Sequence, residues 1–297
     1  MKVFYSGEKF IEANGIELCY DTFGEEKNPA LLLIMGLASQ MVTWEEKFCE
    51  TIASHGYFVI RFDNRDIGLS TKFDHEPVPN VFALIQGEVV DVPYKLIDMA
   101  KDAIGLLDAL KIDKAHICGV SMGGMIAQTI AIHFPNRVHT LISIMSTTSD
   151  PALPQTTPEA MNVLLALPES EREENIKQGI ETWKILSGGV LPFNEEFARK
   201  RVTRAYDRSF YPEGSGRQLA AIIASGSRKK ELKTVKIPSL IIHGDGDPLI
   251  PIEGGEDTAK SIPNAKFVKI EGMGHDIPLE IAPKIISEIV NHIGGSA

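Results

Sequence analysis

The chain has 297 residues, 43% hydrophobic and 24% charged, which suits a soluble globular protein long enough for a large core. A net charge of -10 argues against nucleic acid or an anionic membrane as the main partner, because both select basic patches. Three cysteines (Cys19, Cys49, Cys118) are too few and too scattered for a disulfide framework, and no Cys/His spacing matches a metal site. Nor does any apolar run reach the ~20 residues of a membrane span, and the first residues lack an apolar signal core. A reduced, cytoplasmic protein without metal or other cofactor is the expectation.

Residues 8–23 read as two strands joined at Asn14-Gly15, a dipeptide suited to the positive φ angles of a tight hairpin. The continuous apolar run 30–35 predicts a strand covered on both faces. Helical spacing follows over 44–55 (Trp44, Phe48, Ile52), then a strand over 57–62. Residues 94–110 predict an amphipathic helix, with Leu96, Ala100, Ala103, Ile104, Leu107 and Leu110 at three- and four-residue steps. A strand ending at Val120 leads into Ser121 and a helix to about Phe134, and 138–145 is a further buried strand.

After residue 235 the alternation resumes: strand 237–243, helix 256–262, strand 266–270 and a closing helix over 279–293. This order predicts an α/β fold with a mostly parallel sheet, helices on both faces and antiparallel strands at the N-terminus. Residues 149–234 break the rhythm, with six prolines, an acidic run over 169–174 and helical pieces such as 194–206. That segment reads as an inserted helical cap, with 1–148 and 235–297 forming the core domain.

The chemistry concentrates at Gly119-Val120-Ser121-Met122-Gly123. A strand, a sharp turn and a helix present one serine at the apex, where Gly119 and Gly123 leave room for close backbone approach. Unpaired N–H groups in the first turn of the following helix suit a developing negative charge. A five-residue pattern of this kind also arises by chance, so the reading depends on partners elsewhere. A serine hydroxyl needs a base, and an imidazole base needs a carboxylate to hold its tautomer. Both lie where open α/β sheets place ligands, at the C-terminal ends of strands: Gly244-Asp245-Gly246-Asp247-Pro248 and Gly272-Met273-Gly274-His275-Asp276.

The order Ser121, Asp247, His275 resembles that of the α/β-hydrolase superfamily, and the resemblance extends over nearly the whole chain. It rests on the serine elbow, on Asp63-Asn64-Arg65-Asp66-Ile67-Gly68-Leu69-Ser70, on Gly244-x-x-Asp247 and on Gly272-x-Gly274-His275. Met35-Gly36 and the segment 183–188 are most similar to the aclacinomycin methylesterase-like branch. The resemblance implies a serine carboxylesterase with Ser121 as nucleophile, His275 as base and Asp247 as acid. It implies an oxyanion hole formed by the backbone N–H groups of Leu37 and Met122. Many relatives carry His-Gly where this chain has Met35-Gly36, so the support behind that hole must differ. Activity is expected to rise with pH through titration of a histidine.

Simpler readings stand beside these. Asp245 competes with Asp247, though the spacing from Gly244 and the following Pro248 favour Asp247. Asp276 reads as a solvated turn residue, His243 as a hydrogen-bonded structural histidine, and Asp63 and Arg65 as braces for the site loops. Met35, Gly36, Met145 and Trp183 are candidate substrate contacts, although methionine and tryptophan at such positions are more often packing. The expected partner is a small-molecule ester and the expected assembly a monomer or small homo-oligomer. A methylesterase on a bulky polycyclic substrate, a hydrolase of carbon–carbon bonds and a cofactor-free perhydrolase share the same triad; a ligand-binding receptor on the same fold is a more distant alternative.

Overall fold

The computed structural model describes residues 3–295. The predicted hairpin is present as β1 (Lys9–Ala13) and β2 (Ile16–Phe23), with Asn14 at φ 53° and Gly15 at φ 78°. The other strands are β3 (Ala30–Ile34), β4 (Phe58–Phe62), β5 (Ala115–Val120), β6 (Val138–Ile144), β7 (Ser239–Gly244) and β8 (Lys266–Ile270). They form one sheet in the order β1-β2-β4-β3-β5-β6-β7-β8. β1–β2 and β2–β4 pair antiparallel and every other pair is parallel.

The helices are α1 (Glu46–Ser54), α2 (Val81–Ile85), α3 (Leu96–Ala109), α4 (Met122–His133), α5 (Pro158–Leu165), α6 (Arg172–Leu186), α7 (Glu195–Arg208), α8 (Pro212–Ser225), α9 (Lys229–Leu232), α10 (Ile252–Ser261) and α11 (Ala282–Gly294). α5 to α9 all lie between β6 and β7, so the proline-rich segment is helical, as its sequence predicts. None of these helices is long and apolar enough to cross a membrane.

Successive residues of a strand face opposite sides of the sheet, and β3 shows why its run is continuously apolar. Leu32 and Ile34 join the core formed with α3 and α4, while Leu31 and Leu33 join the core formed with α1 and α11. The strand order reverses between β3 and β5: the chain runs from β3 out to β4 and then returns to the other side of β3. A crevice at the carboxyl ends of two such strands is where this class of sheet holds ligands.

The widest boundary difference is at α10, while α11 begins at Ala282, three residues after its predicted start. α10 begins at Ile252, four residues ahead of the predicted start. Within α10, a Cβ at Gly254 would stand 2.9 Å from the Thr147 Cβ, and one at Gly255 would run into the His243 ring. Close packing of the helix, on Thr147 for Gly254 and on His243 of β7 for Gly255, rather than backbone freedom, accounts for both glycines.

Candidate active site

Ser121 sits between β5 and α4 at φ 54° and ψ −123°, a conformation that a non-glycine residue adopts only when its surroundings enforce it. The enforcement is visible. Its N–H donates to the Ile144 carbonyl at 2.9 Å, and its own carbonyl accepts from Met125 N at 3.1 Å and Ser146 Oγ at 2.8 Å. A Cβ at Gly119 would meet the Gly123 carbonyl, and one at Gly123 would meet the Ile34 carbonyl. The turn is thus wedged between β3 and α4, and only glycine fits on either flank.

His275 follows β8. Its Nε2 lies 2.9 Å from Ser121 Oγ, and its Nδ1 lies 2.8 Å from Asp247 Oδ2. A carboxylate facing Nδ1 puts the proton there, which leaves Nε2 to accept from the serine hydroxyl. The His275 N–H donates to the Leu186 carbonyl at 2.7 Å. A Cβ at Gly274 would strike the backbone of Ser187, and one at Gly188 would strike the carbonyl of Gly246. The C-terminal end of α6 therefore presses on both loops, the one carrying the histidine and the one carrying the aspartate.

Asp247 follows β7 and is 7% exposed. Its Oδ1 accepts from Leu249 N and Ile250 N, each at 2.9 Å, and its Oδ2 also lies 3.3 Å from His243 Nε2. Burial pushes this carboxyl up, but the paired His275 and the His243 hydrogen bond outweigh it and hold it at about 2. His243 donates at 2.8 Å to the Ile250 carbonyl, as a hydrogen-bonded histidine should. Its approach to Asp247 carries no sequence signal beyond a four-residue spacing.

Asp245 has other partners. Its Oδ1 accepts from Gly272 N at 2.6 Å, and Lys269 lies 3.1 Å from its Oδ2, so it ties the β7 loop to the β8 loop. The Gly272 N–H, then Lys269, hold its carboxyl below the usual value.

Asp276 corrects the reading of a solvated turn. It is half-buried, its Oδ1 has no hydrogen-bond partner, and burial pushes its carboxyl up to about 6 against the pull of Arg201. Arg201 and Asp276 line a cavity of about 20 Å³, shared with Trp183 and Phe197. Trp183 of α6 and Phe197 of α7 flank the Arg201 guanidinium, each ring centre 4.6 Å away.

Of the remaining candidates, Met35, Gly36 and Leu37 follow β3, and Met145 follows β6. Gly36 faces the serine so closely that a Cβ there would stand 3.1 Å from Ser121 Cβ. Leu37 follows it, and Met122 opens α4. Met35 and Met145 are buried in the core that faces α1 and α11, Met122 and Met125 in the core that faces α3 and α4. The methionines are therefore divided between the two faces of the sheet.

Asp63 and Arg65 act as braces, as expected. Asp63 Oδ1 accepts from Met41 N at 2.7 Å, and its Oδ2 accepts from Leu69 N and pairs with Arg208, both at 2.8 Å. Arg65 pairs with buried Asp102 at 2.6 Å. The sequence reading missed Asn64, which ties the β4 loop to the end of β3, and Gln218 and the Asp66–Arg217 pair, which join the β3 and β4 loops to α8. Asn64 and Asp66 lie within a recognisable motif, whereas Gln218 has no local signal.

Comparison with known proteins agrees with this architecture. Rhodomycin D methylesterase DauP of Streptomyces sp. (strain C5) is 29% identical, with 96% of this chain and 97% of that protein covered. The 3-oxoadipate enol-lactonase 2 of Acinetobacter baylyi is 27% identical, with 91% of each covered. A meta-cleavage product hydrolase from Pseudomonas fluorescens IP01 superposes with a TM-score of 0.78 at 22% identity, over 97% of this chain and 98% of that one, a likeness of fold. The family described as alpha/beta hydrolase fold matches residues 29–281, and the chain belongs to it as a hydrolase of that superfamily.

Proposed function

We propose that the protein is a cofactor-independent serine carboxylesterase working through an acyl-enzyme. The observation that carries this reading is the unbroken relay from Ser121 Oγ to His275 Nε2 at 2.9 Å and from His275 Nδ1 to Asp247 Oδ2 at 2.8 Å. Ser121 Oγ attacks the ester carbonyl carbon while His275 Nε2 takes its proton. Asp247 stabilises the imidazolium that results. The carbonyl oxygen, now an oxyanion, is received by the N–H groups of Leu37 and Met122, one from each side of the β3/β5 crevice. His275 then protonates the departing alcohol, and water activated by the same imidazole cleaves the acyl-enzyme. Residues 149–234 serve as a helical cap that closes over this crevice and selects the ester.

Ser121→Ala is to abolish turnover of p-nitrophenyl esters in a folded protein, and retained turnover refutes the assignment. A narrower reading, hydrolysis of a methyl ester on a bulky polycyclic substrate, is favoured by the relatives named rhodomycin D methylesterase, which match along nearly their full length. A chain-length series of p-nitrophenyl esters run beside bulky methyl esters separates the two. Preference for short acyl chains points to a general carboxylesterase.

A further inference from the structure

The Leu37 N–H belongs to the Gly36–Leu37 peptide, and the two neighbouring peptides are each held by a buried side-chain amide. Asn64 Nδ2 donates at 3.0 Å to the Met35 carbonyl, which lies in the preceding peptide. Gln218 Oε1 accepts at 3.0 Å from the Ala38 N–H, which lies in the following one. Gln218 is wholly buried, and its Nε2 donates at 2.8 Å to the Arg65 carbonyl, so both ends of the amide are engaged.

The loop needs such support. Ala38 sits at φ 57°, which an alanine does not hold by itself. Gly36 has no side chain to anchor, and the Met35 thioether is only a weak acceptor. Gln218 is itself fixed by its neighbour: Arg217 pairs with Asp66 at 2.9 Å and 3.1 Å. The other end of the loop is tied as well, with Gln40 Nε2 donating to the Ala205 carbonyl at 2.6 Å and the Ser209 carbonyl at 2.9 Å, at the end of α7.

We propose that Gln218 is a positioning residue that, together with Asn64, sets the plane of the Gly36–Leu37 peptide, so that the oxyanion hole is complete only when α8 is docked. This rests on the reading of Ser121 as nucleophile. A misaimed N–H weakens contact with the oxyanion of the transition state and leaves binding of the neutral ester unchanged.

The test compares Gln218→Met, which keeps the size and loses both bonds, with Gln218→Glu, which keeps an acceptor for the Ala38 N–H and, as a neutral acid in this buried place, a donor for the Arg65 carbonyl. For Gln218→Met, kcat on a p-nitrophenyl ester falls about ten- to hundredfold while KM stays within about twofold. Affinity for an alkyl trifluoromethyl ketone, which forms a tetrahedral oxyanion on the serine, falls in the same proportion as kcat. The pH at half-maximal rate does not move. Gln218→Glu stays within about threefold of the parent in both measures. Unchanged kcat in Gln218→Met, or lost kcat with unchanged ketone affinity, overturns the proposal. Should Gln218→Met not fold, a tenfold or greater loss in Gln218→Glu at the parent melting temperature overturns it instead. Ser121→Ala keeps the two readings apart: if it is active the nucleophile is wrong, and if it is inactive while Gln218→Met matches the parent, only the role of Gln218 is wrong.

Discussion

His243 Nε2 and Asp247 Oδ2 stand 3.3 Å apart, with neither side chain exposed. His275 Nδ1 takes the same oxygen at 2.8 Å, so the carboxylate lies between two imidazoles. His243→Leu removes one donor from a buried charge, a loss of about 2 kcal/mol by the usual worth of hydrogen bonds to charged groups. Urea unfolding should register that loss, and kcat should fall about tenfold as the histidine–aspartate geometry loosens. Parent-like unfolding and kcat together would remove His243 from the site.

The two aspartates of the β7 loop separate cleanly. Asp247→Asn keeps the shape but favours the wrong tautomer of His275, and kcat is expected to fall about a thousand- to ten-thousandfold. Asp245 braces Gly272 and Lys269 and does not face the imidazole, so Asp245→Asn should cost no more than about tenfold through a loosened loop. Steady-state kinetics on one ester decides between them, and the reverse order would transfer the acid role to Asp245.

Asp276 gives the stability a pH dependence of known sign. Burial raises its folded-state carboxyl from 3.8 to about 6. A group shifted upward contributes stability that is complete below its unfolded value and is lost as the pH rises through the folded one. The penalty above pH 6 is about 3 kcal/mol at most. Asp276→Asn should therefore raise the melting temperature at pH 8 and leave it unchanged at pH 4. Equal shifts at both pH values would contradict the buried-charge account.

The docking of α8 depends on Arg217, 2% exposed, and Asp66, fully buried. Asp66 also accepts from Tyr94 Oη at 2.6 Å and Phe73 N at 2.8 Å. Arg217→Met leaves that carboxylate without its cation, at a cost of about 3–5 kcal/mol, and exposes the segment around α8 to trypsin. Adding Asp66→Asn should recover part of the loss, because the uncompensated charge is then gone. If the single variant unfolds at the parent urea midpoint, the pair contributes nothing to docking.

Much of this architecture was legible in the residues alone. The apolar runs of β3, β5, β6 and β7 match strands buried on both faces, and Asn14-Gly15 marks the hairpin that sets the antiparallel edge. Ser121, Asp247 and His275 were legible for the same kind of reason: each occupies a strand end flanked by glycine, and that local pattern survives in the order of the chain. Gly254 and Gly255 sit inside α10 because of what they face, Thr147 and His243, and a glycine kept for such close packing has no signature in the sequence until the facing residue is known.

What lay beyond the sequence is contact between distant segments. Gln218 and Ala38 are 180 positions apart, and no periodicity or motif connects them. The pressure of α6 on Gly274 and Gly246, the burial of Asp276 and the second imidazole on Asp247 belong to the same class. Hydrophobic periodicity and turn chemistry act over a few residues, so the sequence by itself determined the strands, the core helices α1, α3, α4, α10 and α11, their order and the three residues of the relay, while α2 and most helices of 149–234 came only with the structure. Directional hydrogen bonds and charge burial depend on which surfaces meet, so only the tertiary structure decided how the loop of Gly36 and Leu37 is held beside Ser121.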